Sequence, residues 1–359
     1  MVKTIIFIFL VGFFLMGCAA GQSVQKGPEK IIVQSESPEK YEAKYDVLLE
    51  KLKALEKSIS VLRSEVTDLG YRLNHIQIRP SLTTYKLPKE VFLCEERFPL
   101  EDRNVWENLD REFLLALSNE AQALLWMKRA RRYFPLIEKR LKEMGLPDDL
   151  KYVTITESSL RPKAISSSGA GGIWQFIPST GEKYGMRKNR SIDERFDFFK
   201  ATEGALSYLR SLYEEFKSWT LSMAAYNAGE NRVRKEIDLQ KTRNYFYLDL
   251  PSETERYVYK IAVAKIILSD PGRYGYKLEE KEFYNPLQVE RVQIELTQPL
   301  PIIEVARATG FFYKQIKEMN PHLFEETIPP GIHSLNLPPG TAEKFWTFFS
   351  AWKKEREGK

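Results

Sequence analysis

Glu157 is the residue whose position in the sequence calls for chemistry. It lies in the stretch Thr154 to Pro178, TITESSLRPKAISSSGAGGIWQFIP, behind a helix whose start is signalled by Pro147, Asp148 and Asp149. At roughly 100° per residue Glu157 shares a face with Leu150, Val153 and Thr154, the apolar face that should be buried. Burial disfavours a charged carboxylate and raises its pKa, the condition under which a glutamic acid holds a proton near neutrality and serves as a general acid. The bland alternative is a helix-end Glu curled back to solvent.

Residues 166–172, SSSGAGG, are too small to build core and let backbone approach a neighbour closely. They run straight into Ile173, Trp174, Gln175 and Phe176, with Pro178 placed as the first residue of another helix. Trp174 beside Gln175 offers a flat stacking surface plus an amide donor and acceptor, a pair suited to a sugar ring; core packing of the Trp is the alternative. Further on, the small-residue helix Leu221 to Ala228 stops at Gly229 and carries Tyr226 and Asn227 in its last turn, where they either project into a cleft or serve as core and cap. Ser252 and Glu255 fit a capping box opening a helix from Glu253 to Leu268, with Tyr257 on the flank of its inner face.

The elements that must position these groups are read from periodicity. Helical patterning runs from Asn104 to Met144 through Leu114, Leu117, Leu124, Leu125, Phe134, Ile137 and Leu141, and again from Phe198 to Phe216. The basic cluster from Lys128 to Arg132 reads as a solvated helix face. From Pro286 the style changes: Val289 to Glu295 alternates like a strand, Ile302 to Ala308 and Lys314 to Met319 read as short helices, and Ile332 to Leu337 returns to strand. Trp346, Phe348, Phe349 and Trp352 mark a closing helix.

The first residues are basic, greasy and then small: Lys3, an apolar run from Ile5 to Met16, and Gly17-Cys18-Ala19-Ala20, an export signal. That run is about a dozen residues, short of the ~20 a spanning helix needs. Residues 21–40 are a polar tether. Tyr41, Tyr45, Leu48, Leu52, Leu55, Ile59, Leu62, Val66, Leu69, Leu73 and Ile76 then fall alternately four and three apart, a heptad seam that predicts an oligomerising coiled coil over 41–78, with a long helix packed on its own domain as the alternative. With 359 residues, 43% hydrophobic, the chain has material for two or three domains. A net charge of +5 falls well short of a nucleic-acid signature. The cysteines are Cys18 and Cys94 alone, so no intramolecular disulfide framework is expected.

Taken in order, Glu157-Ser158, Gly172-Ile173-Trp174-Gln175, Ala225-Tyr226-Asn227-Ala228-Gly229 and Glu253-Thr254 followed by Tyr257-Val258 resemble the catalytic domain of the lytic transglycosylases, of the membrane-bound lytic murein transglycosylase D type, over roughly residues 107–272. The resemblance implies a mainly α, lysozyme-like domain, here 80–285, that binds peptidoglycan glycan strands. Glu157 would be the catalytic acid, Ser158, Gly172, Trp174 and Gln175 would line the centre, Tyr226 and Asn227 would hold the sugar, and Tyr257 would sit near the scissile bond. The resemblance pairs no second Asp or Glu with Glu157 in the reaction, so one group would act as acid and then as base, closing a 1,6-anhydro ring with no metal or cofactor. Glu182, Glu203 and Asp193 are the candidates for a second carboxylate, with plain surface charge as the alternative for each. A hydrolytic muramidase on the same fold and a non-catalytic wall-binding lipoprotein are the competing readings.

Leu15-Met16-Gly17-Cys18 resembles the bacterial lipoprotein box, which implies removal of residues 1–17, lipidation of Cys18 and, with Ala19 next, a periplasmic location at the outer membrane; Met16 is a less usual occupant of the box, and an uncleaved anchor is the alternative. Residues 286–340 resemble a degenerate LysM module in which Thr297-Gln298-Pro299-Leu300 replaces the usual Gly-Asp-Thr. The module either binds N-acetylglucosamine chains or is a structural appendage, and 341–359 closes it as a helix.

Overall fold

The computed structural model describes residues 38–75 and 81–357. Cys18, the export signal, most of the tether and the last residues of the heptad stretch lie outside them. The chain divides into two compact units, residues 1–76 and 77–359. In the first, a single helix α1 (Pro38–His75) runs through Gly70. Its seam residues Tyr45, Leu48, Leu52, Leu55, Ile59, Leu62, Val66 and Leu69 are all exposed along it.

In the second unit a short hairpin, β1 (Phe92–Leu93) and β2 (Glu96–Arg97), precedes α2 (Arg103–Ser118) and α3 (Glu120–Met144). The expected continuous helix from 104 to 144 is thus two helices. Asn119 breaks it, leaving helical φ/ψ and accepting the backbone N–H of Gln122 through its side chain as the cap of α3. A 3-10 turn (Asp148–Tyr152) leads into α4 (Val153–Ser158), followed by α5 (Pro178–Lys183), α6 (Phe198–Phe216), α7 (Trp219–Ala228), α8 (Glu230–Gln240) and α9 (Ser252–Ser269). Pro178 opens α5 at its first turn, where the missing N–H costs nothing.

The centre of this helical body is α9, which packs against α2, α4 and α7. Buried residues lie around much of its circumference, Tyr257, Val258, Ile261, Ala262, Ala264 and Ile267 among them, the signature of a helix enclosed by others. Its start differs from expectation: Pro251 occupies the N-cap and Ser252 is already helical, while the Glu255 carboxylate reaches back to Leu250 N–H at 3.3 Å. Proline fixes φ but brings no side-chain oxygen, so the Ser-x-x-Glu pairing is not the cap.

The C-terminal part has its own apolar cluster. Strand β3 (Glu290–Leu296) pairs antiparallel with β6 (Gly331–Leu337), Val292 opposite Leu335 and Ile294 opposite His333. Between them lie α10 (Ile302–Thr309) and α11 (Tyr313–Met319), flanked by the short pair β4 (Leu300–Pro301) and β5 (Thr327–Ile328). Val292, Ile294 and Leu296 point inward by the period-2 rule and meet Phe345, Phe349 and Trp352 of α12 (Ala342–Glu357). Ile192, from the helical body, joins the same cluster.

Around Ile192 the two parts are bonded to each other. Asp193 N–H donates to His322 O at 3.0 Å and Phe324 N–H to Ser191 O at 2.8 Å. Arg291 of β3 makes two 2.9 Å bonds to the carboxylate of Asp197 and lies over the Phe199 ring at 4.8 Å. Asp197, 1% exposed, also caps α6 by accepting from Phe199 N–H and Lys200 N–H. Among the described residues no helix is long and apolar enough to cross a membrane.

Candidate active site

Glu157 sits in the last turn of α4, a helix ended by two successive left-handed residues, Ser159 (φ 55°) and Leu160 (φ 58°). Neither is glycine, so each conformation costs about 1 kcal/mol or more and must be held from outside. The holding groups are on α3: Trp126 Nε1 donates to Ser159 Oγ at 3.2 Å and Arg129 to Ser159 O at 3.0 Å. Glu157 is half-buried, and the Tyr257 hydroxyl of α9 donates to its Oε1. Burial pushes the carboxyl pKa up to about 7, with the nearby Glu253 adding to the rise, while the Tyr257 hydrogen bond and the charge of Lys260 pull it down. Near neutrality the group is therefore poised between acid and base. Burial, reinforced by the Glu157 charge, keeps Tyr257 and Tyr226 protonated far above their usual range, so both remain donors.

The loop that follows forms one wall. Arg195, itself buried, donates through Nη1 to Gly169 O at 2.8 Å and Phe176 O at 2.7 Å, and Asp193 holds its guanidinium by bonds of 2.9 and 2.6 Å. The 191–197 segment thus grips the loop on one side and the C-terminal part on the other. Gly172 has φ 81°, and a Cβ there would stand 2.0 Å from Arg195 O, so the position admits only glycine.

Three of the residues expected to line the centre do something else. The Trp174 ring is completely buried with its Nε1 donating to Thr202 Oγ1 at 3.0 Å, so it is core and presents no stacking face. Ser158 is buried and donates to Ile173 O at 2.7 Å. Gly172 shapes the loop and is buried beneath it. These three residues therefore build the wall from behind. Gln175, at φ 52°, ties the loop by donating to Gly172 O at 2.7 Å and Ala164 O at 3.1 Å, and it faces the cleft. Tyr226 donates to Trp174 O at 2.8 Å, and Asn227 accepts from Thr254 Oγ1 at 2.8 Å through Oδ1.

Glu157, Gln175, Tyr226, Asn227 and Tyr257 open together on a cleft of about 650 Å³. Glu253, to which the sequence reading gave no role, and Lys260, Glu230 and Arg232, which it did not single out, line it too. Glu253, Tyr257 and Lys260 are spaced four and three apart on α9, a single helix face that would have revealed all three. Glu230, in the first turn of α8, is held below the usual carboxylate range by its own backbone N–H and by the Tyr208 hydroxyl. The candidate second carboxylates are elsewhere: Asp193 is consumed by Arg195, Glu203 by Arg140, and Glu182 is exposed outside the cleft lining. Cys94 is a buried free thiol, its pKa driven upward by burial. A comparable cavity of about 630 Å³ lies between α3 and residues 268–283, but Lys151 in its wall is already taken by Glu138 and Asp148.

Residues 134–248 match the family described as Transglycosylase SLT domain. The chain is 36% identical over 197 residues to membrane-bound lytic murein transglycosylase D of Escherichia coli strain K12, an alignment covering 54% of this chain and 43% of that protein. It is 31% identical over 128 residues to membrane-bound lytic murein transglycosylase C of Haemophilus ducreyi, covering 32% of this chain and 35% of that one. The chain thus spans less than half the length of the relatives it matches. Among solved structures, the 70 kDa soluble lytic transglycosylase of Escherichia coli is 23% identical, with a TM-score of 0.33 over 49% of this chain and 32% of that one.

Proposed function

We propose that this chain, whose residues 134–248 carry a transglycosylase SLT domain, is a peptidoglycan lytic transglycosylase. The observation that carries the reading is Glu157: a carboxyl with a pKa of about 7, bonded to Tyr257, at the heart of a cleft large enough for several atoms' width of glycan. Protonated Glu157 gives its proton to the oxygen joining N-acetylmuramic acid to N-acetylglucosamine as the bond from that oxygen to muramyl C1 breaks. The carboxylate so formed then takes the proton of the muramyl C6 hydroxyl, whose oxygen bonds to C1 and closes the 1,6-anhydro ring. Glu157 ends as it began, and water is not consumed. Asn227, its Oδ1 taken by Thr254, presents its amide donors to the sugar, and Gln175, fixed to the loop backbone, supplies its carbonyl oxygen.

Glu253 gives a specific reason to weigh hydrolysis, since a second carboxylate on the cleft is what a muramidase would use to activate water. Product mass separates the two: a hydrolytic product is heavier by one water. Glu253→Gln should leave the anhydro product in place, whereas water-bearing ends from wild type that are lost in Glu253→Gln would support the muramidase.

The same proposal places the protein in the periplasm, tethered to a membrane through lipidated Cys18, with the outer membrane as the expected address. The exposed seam of α1 fits self-association through a coiled coil.

A further inference from the structure

The helix that carries Glu157 is too short to hold itself. With six residues, Val153–Ser158, α4 falls well under the roughly 12–15 at which a helix is even marginally stable by itself, so the direction of the Glu157 side chain depends on how the helix ends. It ends by folding back on its own last carbonyls: Ser159 N–H donates to Ile155 O at 2.9 Å and Leu160 N–H to Thr154 O at 3.2 Å. A left-handed stop of this kind commonly uses glycine, which adopts it without steric cost. Here the residue is Ser159, at φ 55° and ψ 35°, and a second left-handed residue, Leu160, follows. Leu160 is held by the complete burial of its side chain. Ser159 is half-buried and is held from α3, by Arg129 Nη1 on its carbonyl oxygen at 3.0 Å and Trp126 Nε1 on its hydroxyl at 3.2 Å.

Trp126 and Arg129 lie three apart on one face of α3, and neither lines the cleft. The basic run from Lys128 to Arg132 is therefore more than a solvated face. Arg129 turns inward to the turn behind Glu157, while its neighbours turn to the segment that follows α9. Arg131 pairs with Glu280, Arg132 Nε donates to Asn285 O at 3.1 Å, and Leu287 N–H donates to Arg132 O at 3.0 Å. α3 is thus pinned from outside, and its position is passed inward through two side chains. We infer that Arg129 and Trp126 are positioning residues for the acid: they hold Ser159 left-handed, so that α4 stops where the Glu157 carboxyl meets the Tyr257 hydroxyl. The inference rests on the reading of Glu157 as the acid. Without the clamp Ser159 returns to the right-handed region, the last turn of α4 rewinds, and Glu157 leaves Tyr257.

The test measures kcat, KM and the pH profile of strand cleavage. Arg129→Met should lower kcat by about tenfold to a hundredfold, the cost of misplacing a catalytic group, with KM within about twofold of wild type. Because the Tyr257 hydrogen bond holds the Glu157 pKa down, its loss should also move the alkaline decline to higher pH, as in Tyr257→Phe. Arg129→Lys keeps a donor for Ser159 O and should recover most of kcat. Trp126→Phe keeps a ring and loses one neutral hydrogen bond, so kcat should fall about threefold; it carries the test if Arg129→Met does not fold. The deciding variant adds Ser159→Gly to Arg129→Met. Glycine takes φ near 55° unaided, so kcat should rise again by about fivefold or more and the pH profile should return toward wild type. Unchanged kcat in both Arg129→Met and Trp126→Phe overturns the positioning role and leaves the cleavage reading intact. So does a fall in kcat that Ser159→Gly does not reverse and that leaves the pH profile in place. Wild type that cuts no strands overturns the cleavage reading and this inference with it.

Discussion

Glu157 is poised by opposing influences, and each can be removed separately. Glu157→Gln should lower strand cleavage by about 10²–10⁴-fold, the usual range for a general acid-base group, measured as fragment release from purified strands. For wild type the acid form is required first, so cleavage should decline as pH rises through about 7. The Tyr257 hydrogen bond lowers the Glu157 pKa, so Tyr257→Phe should move that decline to higher pH; a shift to lower pH would contradict the assignment. Linkage gives a second readout. A carboxyl whose folded pKa lies above its unfolded value contributes stability that is complete below about 4.5 and is lost as pH rises to about 7. Wild type and Glu157→Gln should therefore denature alike in acid and diverge in favour of the variant by up to about 3 kcal/mol above neutrality, read from urea midpoints. Glu157 was legible because a charged residue on an apolar helix face is a mismatch that position alone exposes. Trp174 and Ser158 were not, since a motif names residues without saying whether they face the ligand or brace its wall from behind.

The loop from Gly169 to Phe176 takes its shape from Arg195 and Asp193. Gly172→Ala must displace Arg195 O or abandon a left-handed backbone, and should cost at least about 2 kcal/mol of thermal stability along with most activity. Arg291→Ala leaves the buried Asp197 carboxylate without its bidentate partner; a loss of about 3 kcal/mol is expected, with a few-fold drop in kcat because segment 191–197 also carries Arg195. Unchanged melting and turnover in Arg291→Ala would show that the C-terminal part does not brace the cleft. At this scale the sequence announced most helices and the β3–β6 pair through their 3.6 and 2.0 periods. It hid the break at Asn119, where apolar spacing continues across two helices, and the Pro251 cap, where a plausible Ser-x-x-Glu lies one residue inside the helix. Links such as Arg291 to Asp197 join residues 94 apart, and no local pattern encodes them.

At the scale of the whole molecule, a proposed anchor, a heptad helix and a cleft follow one another along one chain. Self-association through α1 predicts that sedimentation equilibrium will give a multiple of the monomer mass, returning to the monomer when Leu52, Leu55 and Leu62 are replaced by Asp. Cys18→Ala should release the protein from membranes, since one acyl-bearing residue is the proposed tether. Both readings came from composition and spacing, which report on exposed seams and export signals without any tertiary information. The central claim is the single-carboxylate chemistry at Glu157, and the mass of the products tests it most directly. Digestion of purified glycan strands should give fragments ending in 1,6-anhydro-N-acetylmuramic acid from wild type and none from Glu157→Gln; fragments heavier by one water, or full activity in Glu157→Gln, would contradict it.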